Sequence, residues 1–218
     1  MCGAKMLFLI IVAALLPTGF SAPLADCDKL TQVMQIQGLE QFFGSWIYTA
    51  ESTNMPRAQF LTEKFVDNVW RFIYPANESN SFHVFQAQKM LGRCFNVTSK
   101  YTLFNNILHM ELEERPMVVK QVLMRTNSSS CILLLSNYTI GINTYRGLQL
   151  LSRRPKLWRT EIEELKKQAA CLNLPSPTFL HPKTDVCPYV PVESPDLIHL
   201  LHHVGKWKSI GQATGGFD

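Results

Sequence analysis

The chain has 218 residues, a formal net charge of +4 and 17% charged against 46% hydrophobic residues. So mild a charge, with no Lys/Arg run, gives no support to nucleic-acid binding. The apolar content is enough for one core of good size and not two.

Residues 1–22 read as a secretory signal peptide. Lys5 supplies the charged start, Met6 to Leu16 an apolar stretch too short to span a bilayer, and Gly19, Ser21 and Ala22 the small residues of a cleavage region. No later stretch is long and apolar enough for a membrane helix, so the expectation is a soluble, secreted, extracellular product with no membrane insertion. Loss of Cys2 with the signal leaves Cys27, Cys94, Cys131, Cys171 and Cys187. In an oxidising compartment that odd count reads as two bridges and one free thiol. Sequons at Asn77, Asn96, Asn127 and Asn137 predict a glycoprotein and mark loops or outward-facing strand positions.

Gln35 to Phe43 reads as a short helical lead-in. Eight β-like runs follow at near-regular spacing: Trp46–Ala50, Phe65–Tyr74, Phe82–Gln88, Cys94–Leu103, Ile107–Leu112, Val118–Met124, Cys131–Leu135 and Tyr145–Leu151. Turn residues such as Pro75-Ala76-Asn77, Leu91-Gly92, Asn105-Asn106 and Gly141 separate them. The pattern predicts an all-β sandwich or an eight-stranded antiparallel up-and-down barrel. After Pro155 the period changes. Leu157, Ile162, Leu165 and Ala169 share one helical face, with Glu161, Glu163, Glu164, Lys166 and Lys167 largely on the other. This predicts an amphipathic C-terminal helix packed outside the β-unit.

Residues 189–218 form a Pro-rich linker and a tail. Gly205-Lys206-Trp207 repeats the Gly44-Ser45-Trp46 pattern about one domain length later. Two readings fit: the start of a truncated second repeat, or a chance match on an amphipathic tail. His199, His202 and His203 have metal-compatible spacing, but no acidic or Cys partner stands nearby in sequence, and no metal site is assigned.

The motifs together resemble the lipocalin family. Gly44-Ser45-Trp46 is similar to its first motif, and Leu151-Ser152-Arg153-Arg154-Pro155 with the following helix and Cys171 to its third. The likeness is to the branch of α1-acid glycoprotein (orosomucoid), apolipoprotein M and the puffer-fish saxitoxin- and tetrodotoxin-binding proteins. Cys171-Leu172-Asn173-Leu174-Pro175, Lys183 to Pro188 and Val66-Asp67-Asn68 carry it, over roughly Cys27 to Pro188. The family's second motif is degraded to Thr126-Asn127-Ser128, as in orosomucoids. The domain reading is therefore a signal at 1–22, a lipocalin domain at 23–188 and the tail.

The resemblance implies a barrel floor locked by Arg153 lying on Trp46. It implies bridges Cys27–Cys171 and Cys94–Cys187. Cys131 matches an apolipoprotein M cysteine whose partner position, near Glu161, is not Cys, so Cys131 should stay free and buried. Parity puts Trp46, Tyr48 and Ala50 on one face, with Tyr48 pointing inward. In Val69 to Tyr74 both faces are bulky, and the period cannot choose. The resemblance places Val69, Arg71 and Ile73 inside and the aromatic set outside, under the helix. Arg71 then either meets a ligand phosphate or carboxylate or faces solvent near the mouth. Tyr101 and Leu103 are further lumen candidates.

The implied function is a plasma carrier that binds and transports a small hydrophobic or amphipathic ligand in the lumen. Associations with lipoprotein or plasma proteins also follow from the resemblance. Its ligand classes span lipophilic amines, lysophospholipids and guanidinium toxins; few Asp or Glu at lumen candidates argues against the last. No catalytic constellation or cofactor motif is read, so the expectation is not an enzyme. An immunomodulatory, acute-phase glycoprotein acting through its surface is the alternative.

Overall fold

The structure, a computed structural model, describes residues 25–111, 117–180 and 186–188. The signal region 1–22, the tail with its histidines and second Gly-x-Trp, and the linker lie outside the described residues.

Eight antiparallel strands follow one another around a closed barrel: β1 Gly44–Thr53, β2 Val66–Pro75, β3 Ser81–Met90, β4 Arg93–Phe104, β5 Ile107–Glu111, β6 Met117–Met124, β7 Cys131–Ile140 and β8 Asn143–Ser152. Each pairs with its sequence neighbour, and β1 pairs with both β8 and β2, which closes the sheet. Short turns permit this order. Asn105 and Asn106 both take positive φ between β4 and β5, the two-residue hairpin geometry that Asn tolerates. The Asn106 side chain then binds backward to the incoming chain: its Oδ1 accepts from Ile36 N at 2.7 Å and its Nδ2 donates to Met34 O at 3.0 Å.

The predicted lead-in helix shortens to one 3-10 turn, Glu40–Phe42. Two further helices carried no sequence expectation: α1 Ala25–Leu30, and α2 Ala58–Phe65 in the connection between β1 and β2. Phe65, expected in a strand, is the last residue of α2. The C-terminal helix, α3 Arg159–Cys171, packs outside as expected, and β9 Thr178–Phe179 adds to β1.

One face of every strand points into the barrel. The core inside holds Phe42, Trp46, Tyr48, Val69, Ile73, Phe82, Val84, Tyr101, Leu108 and Leu151 among others. A second cluster lies outside, where Leu165 and Ala169 of α3 meet Ala50, Cys131, Leu133, Leu148 and Leu150. Glu161 departs from the expected polar face. It is buried on the inner side of α3, where its carboxylate pairs with Arg154 at 2.5 Å and accepts from Trp158 N at 2.7 Å. Leu157 precedes the helix rather than belonging to it.

The outward aromatic set Trp70, Phe72 and Tyr74 packs with Phe85, Ala87 and Cys187, not under α3. Trp70 Nε1 donates to Cys187 O at 2.9 Å, so the C-terminal strap covers this face. The helix takes the adjoining wall, where β1, β7 and β8 supply the small and aliphatic outer residues it needs.

Candidate functional site: the barrel interior

The closed end is built around Gly44-Ser45-Trp46. Trp46 Nε1 donates to Phe42 O at 2.6 Å, so the 3-10 turn is held to the indole. The guanidinium of Arg153 lies 3.5 Å from the Trp46 ring centroid and donates to Ser45 O at 2.7 Å and Phe43 O at 2.6 Å. Gly44 has φ +94°, and a Cβ there would sit 2.9 Å from Arg153 Nη1. Only glycine allows this approach without strain. Above the indole, Phe42, Phe82 and Tyr101 stack in sequence at 5.7 and 5.4 Å. This end of the interior is aromatic, aliphatic and closed.

Toward the open end the lining becomes polar. Tyr48 Oη donates to Glu51 Oε2 at 2.7 Å. Arg71, buried, donates from Nε to Gln86 Oε1 at 2.8 Å and stands 5.3 Å from the Tyr48 ring centroid. Gln149 Nε2 donates to Tyr138 Oη at 2.7 Å, and Gln121 Nε2 donates to Ser136 Oγ at 2.7 Å and Gln149 Oε1 at 3.3 Å. Burial raises the Tyr48 phenol well above its ordinary value, with the nearby Glu51 charge adding to it. Burial likewise pushes Tyr138 up to about 12 and raises Tyr101. All three hydroxyls keep their protons at neutral pH and serve as neutral hydrogen-bonding groups.

Two cavities adjoin within this belt. One, of 190 Å³, is lined by Glu51, Thr53, Met55, Ala58, Tyr138 and Gln149 among others. The other, of 180 Å³, is lined by Tyr48, Glu51, Thr62, Val69, Arg71 and Gln149 among others. Glu51 and Gln149 belong to both. Ala58 and Thr62 come from α2, which therefore lies over the mouth. Each space alone is smaller than the roughly 300–1,000 Å³ pocket of a drug-sized ligand. A ligand larger than one ring must use both or displace α2.

Tyr48, Val69, Arg71, Ile73 and Tyr101 all lie in the interior and are buried. The structure splits them: Val69, Arg71 and Tyr48 border the cavity, while Ile73 and Tyr101 belong to the packed lower core. Of the two readings of Arg71, the solvent-facing one falls. Leu103 packs against the same core.

One parity expectation fails. Ala50 is outside, under α3, because Thr49 is an extra residue in β1. Tyr48 pairs with Leu151 and Ala50 with the adjacent Leu150. This bulge turns Glu51 inward opposite Gln149. It brings to the interior one carboxylate that the sequence reading did not place there. Gln86, Gln121, Tyr138 and Gln149 were also not named from sequence, although Val84-Phe85-Gln86-Ala87-Gln88 carries a period-2 signal that could have found Gln86.

Cys27 is bonded to Cys171 and Cys94 to Cys187, with Cα–Cα distances of 5.4 and 5.6 Å. Cys131 is free and buried, on the outer face of β7 with its Sγ 3.6 Å from Glu161 Oε1. Burial raises its thiol, so it is not an activated nucleophile. Asn77, Asn127 and Asn137 are exposed, while Asn96 is half-buried on the outer face of β4.

No curated protein matches the sequence. Among solved structures, the siderocalin Ex-FABP, described as functioning through dual ligand specificities, is similar in fold, with a TM-score of 0.58 at 15% identity. The match covers 68% of this chain and 99% of that one. The family model described as the ApoM domain matches residues 8–189, most of the sequence. The chain belongs to the ApoM domain family, a lipocalin family.

Proposed function

We propose that this protein is a secreted glycoprotein that carries a small hydrophobic or amphipathic ligand in its barrel. The observation that carries the reading is the pair of adjoining cavities between an aromatic floor and a polar belt. Apolar ligand surface buried there contributes about 25 cal/mol per Å², and the belt orients the polar end. Arg71 is the group for an anionic ligand moiety, through a charge-assisted hydrogen bond. Two disulfides support passage through an oxidising compartment. Among the described residues no helix is long and apolar enough to cross a membrane. Cys131 faces α3 and not the cup, so it does not line the ligand space.

A fluorescent lipophilic probe tests the proposal. It should bind at one saturable site and quench tryptophan emission. Val69→Trp, which fills the cavity, should weaken binding at least about tenfold without unfolding the barrel. Arg71→Ala should weaken an anionic probe and spare a neutral one. No binding by the folded protein at micromolar probe would move the function to the glycan-bearing outer surface, the reading that the exposed Asn77, Asn127 and Asn137 favour.

A further inference from the structure

The two cavities stop partway down the barrel. Tyr48, Val69, Arg71 and Tyr138 belong to their linings, whereas none of the stacked trio Phe42, Phe82 and Tyr101 borders either space. The trio is firmly built in. Phe82 and Tyr101 are direct partners across β3 and β4, and their rings lie 2° from parallel. Phe42 lies 17° from Phe82, and its carbonyl is tied to the Trp46 indole at the floor. The three are 1%, 2% and 6% exposed, and Ile73, Val84 and Leu108 belong to the same buried cluster. Tyr101 is the ring nearest the polar belt, where the Arg71 charge reaches its phenol.

We infer that this trio is the length gauge of the carrier, a plug above the Trp46 floor that admits compact or short-chain amphiphiles and gives long chains no further room. This deepens the carrier reading and rests on it. With its head in the polar belt, an alkyl chain has two ways to run. Downward it must displace Tyr101, and a ring in a close-packed core has no free volume to move into. Forcing extra methylenes into such a core strains the side chains and backbone around them. Upward the chain meets α2, which buries none of its residues fully, and then water. Methylenes sent that way contribute no hydrophobic burial. The apolar space is therefore bracketed, and its two parts of 190 and 180 Å³ together reach only the low end of the roughly 300–1,000 Å³ of a drug-sized pocket. Phe82 and Tyr101 set ligand choice by occupying the space that a longer chain would need.

The test titrates primary straight-chain alkanols from hexanol to tetradecanol into the full-length secreted protein, by competition with the fluorescent lipophilic probe. In the wild type each added methylene should tighten binding about fourfold while it is buried, and the series should level off between octanol and dodecanol. In Tyr101→Ala the rise should continue, so that the affinity ratio of tetradecanol to octanol exceeds the wild-type ratio at least about tenfold. The ratio is read within each protein, so a uniform loss of affinity does not enter it. Large-to-small core changes destabilise, so the milder Phe82→Leu accompanies it, with circular dichroism reporting the fold; it should also move the levelling point to longer chains. The wild-type series decides even if neither variant folds. Affinity that climbs steadily to tetradecanol in the wild type, or folded variants that level off at the wild-type length, would overturn the gauge and leave the carrier reading standing. A wild type that binds the probe but no alkanol would do the same. Binding of neither probe nor alkanol would overturn the two together.

Discussion

Replacing Arg153 with Ala tests whether the barrel floor is a lock or an ornament. Three interactions disappear. The guanidinium loses its seat 3.5 Å from the Trp46 ring, and the Ser45 and Phe43 carbonyls lose their donors. The ring contact is worth about 0.5–2 kcal/mol, depending on how dry it is. A buried charge-assisted hydrogen bond would add about 1.5–3 kcal/mol. Arg153 is exposed, however, and water can replace it at both carbonyls, so roughly 0.5 kcal/mol each is the proper share. The sum is about 2 kcal/mol, or a fall in Tm of roughly 4–8 °C for a chain of this size. Thermal unfolding by circular dichroism measures it. Arg153→Lys keeps the charge but not the fork that spans two carbonyls, so it should recover less than half of the loss. Probe affinity should change less than stability, because Arg153 covers the face of the indole turned away from the cup. A melting curve for Arg153→Ala within about 1 °C of wild type would show that the stacking stores no stability.

Non-reducing peptide maps should link Cys27 to Cys171 and Cys94 to Cys187, each bridge contributing on the order of 2–5 kcal/mol; Cys131 should resist thiol reagents in the native protein and react once unfolded. Burial alone would raise the Glu161 carboxyl, but hydrogen bonds from Ser128 and Trp158 N and the Arg154 charge outweigh it and hold it below the usual range. A depressed folded value means stability that is present above the unfolded pKa of about 4.3 and is lost as pH falls through the folded one. Glu161→Gln should therefore destabilise by about 1–3 kcal/mol at pH 7, with the gap to wild type narrowing below pH of about 4; a constant gap would refute the charge argument. Glycosidase treatment of the secreted protein should lower its mass, and peptide mapping should show Asn96 the least occupied of the four sequons because it alone is half-buried; heavier use of Asn96 than of exposed Asn77 would contradict this.

The strands were legible because their signal is periodic and their punctuation is chemical, whereas the choice of barrel over sandwich rested on the family resemblance. Strand spacing is set by turns whose residues must tolerate positive φ, and Asn105-Asn106 and Leu91-Gly92 announce themselves. Extents were less legible. β7 runs five residues beyond Leu135 to Ile140, through Asn137 and Tyr138, where polar and aromatic residues mix and no single apolar face is visible. α2 was illegible for a related reason: it buries none of its residues fully, so Ala58 to Phe65 carries no apolar stripe strong enough to declare a helix. Glu161 misled in the opposite direction. A charged residue reads as solvent-facing, yet burial becomes tolerable once Arg154, arriving from the end of β8, pairs with it.

The interior tests parity most severely. Along β2 both faces are bulky and the period alone could not choose; the resemblance placed Val69, Arg71 and Ile73 inside, where they stand with Gln88, Gln86 and Val84 opposite them on β3. On β1 period-2 reasoning holds through Tyr48 and inverts at Thr49. A bulge has no reliable composition; Thr49 is an ordinary strand residue, and its hydroxyl bonds to Leu150 O at 3.0 Å as if it belonged there. Yet this one residue decides which side chains line the cup. Without the register shift Ala50 would face the ligand and Glu51 the solvent, and the polar belt would hold a cation but no anion. With it, Ala50 supplies the small outer residue that α3 packs against, and Glu51 supplies the acceptor. A single backbone irregularity thus serves the outer packing and the lining of the interior at once, so a change that removed it would alter both.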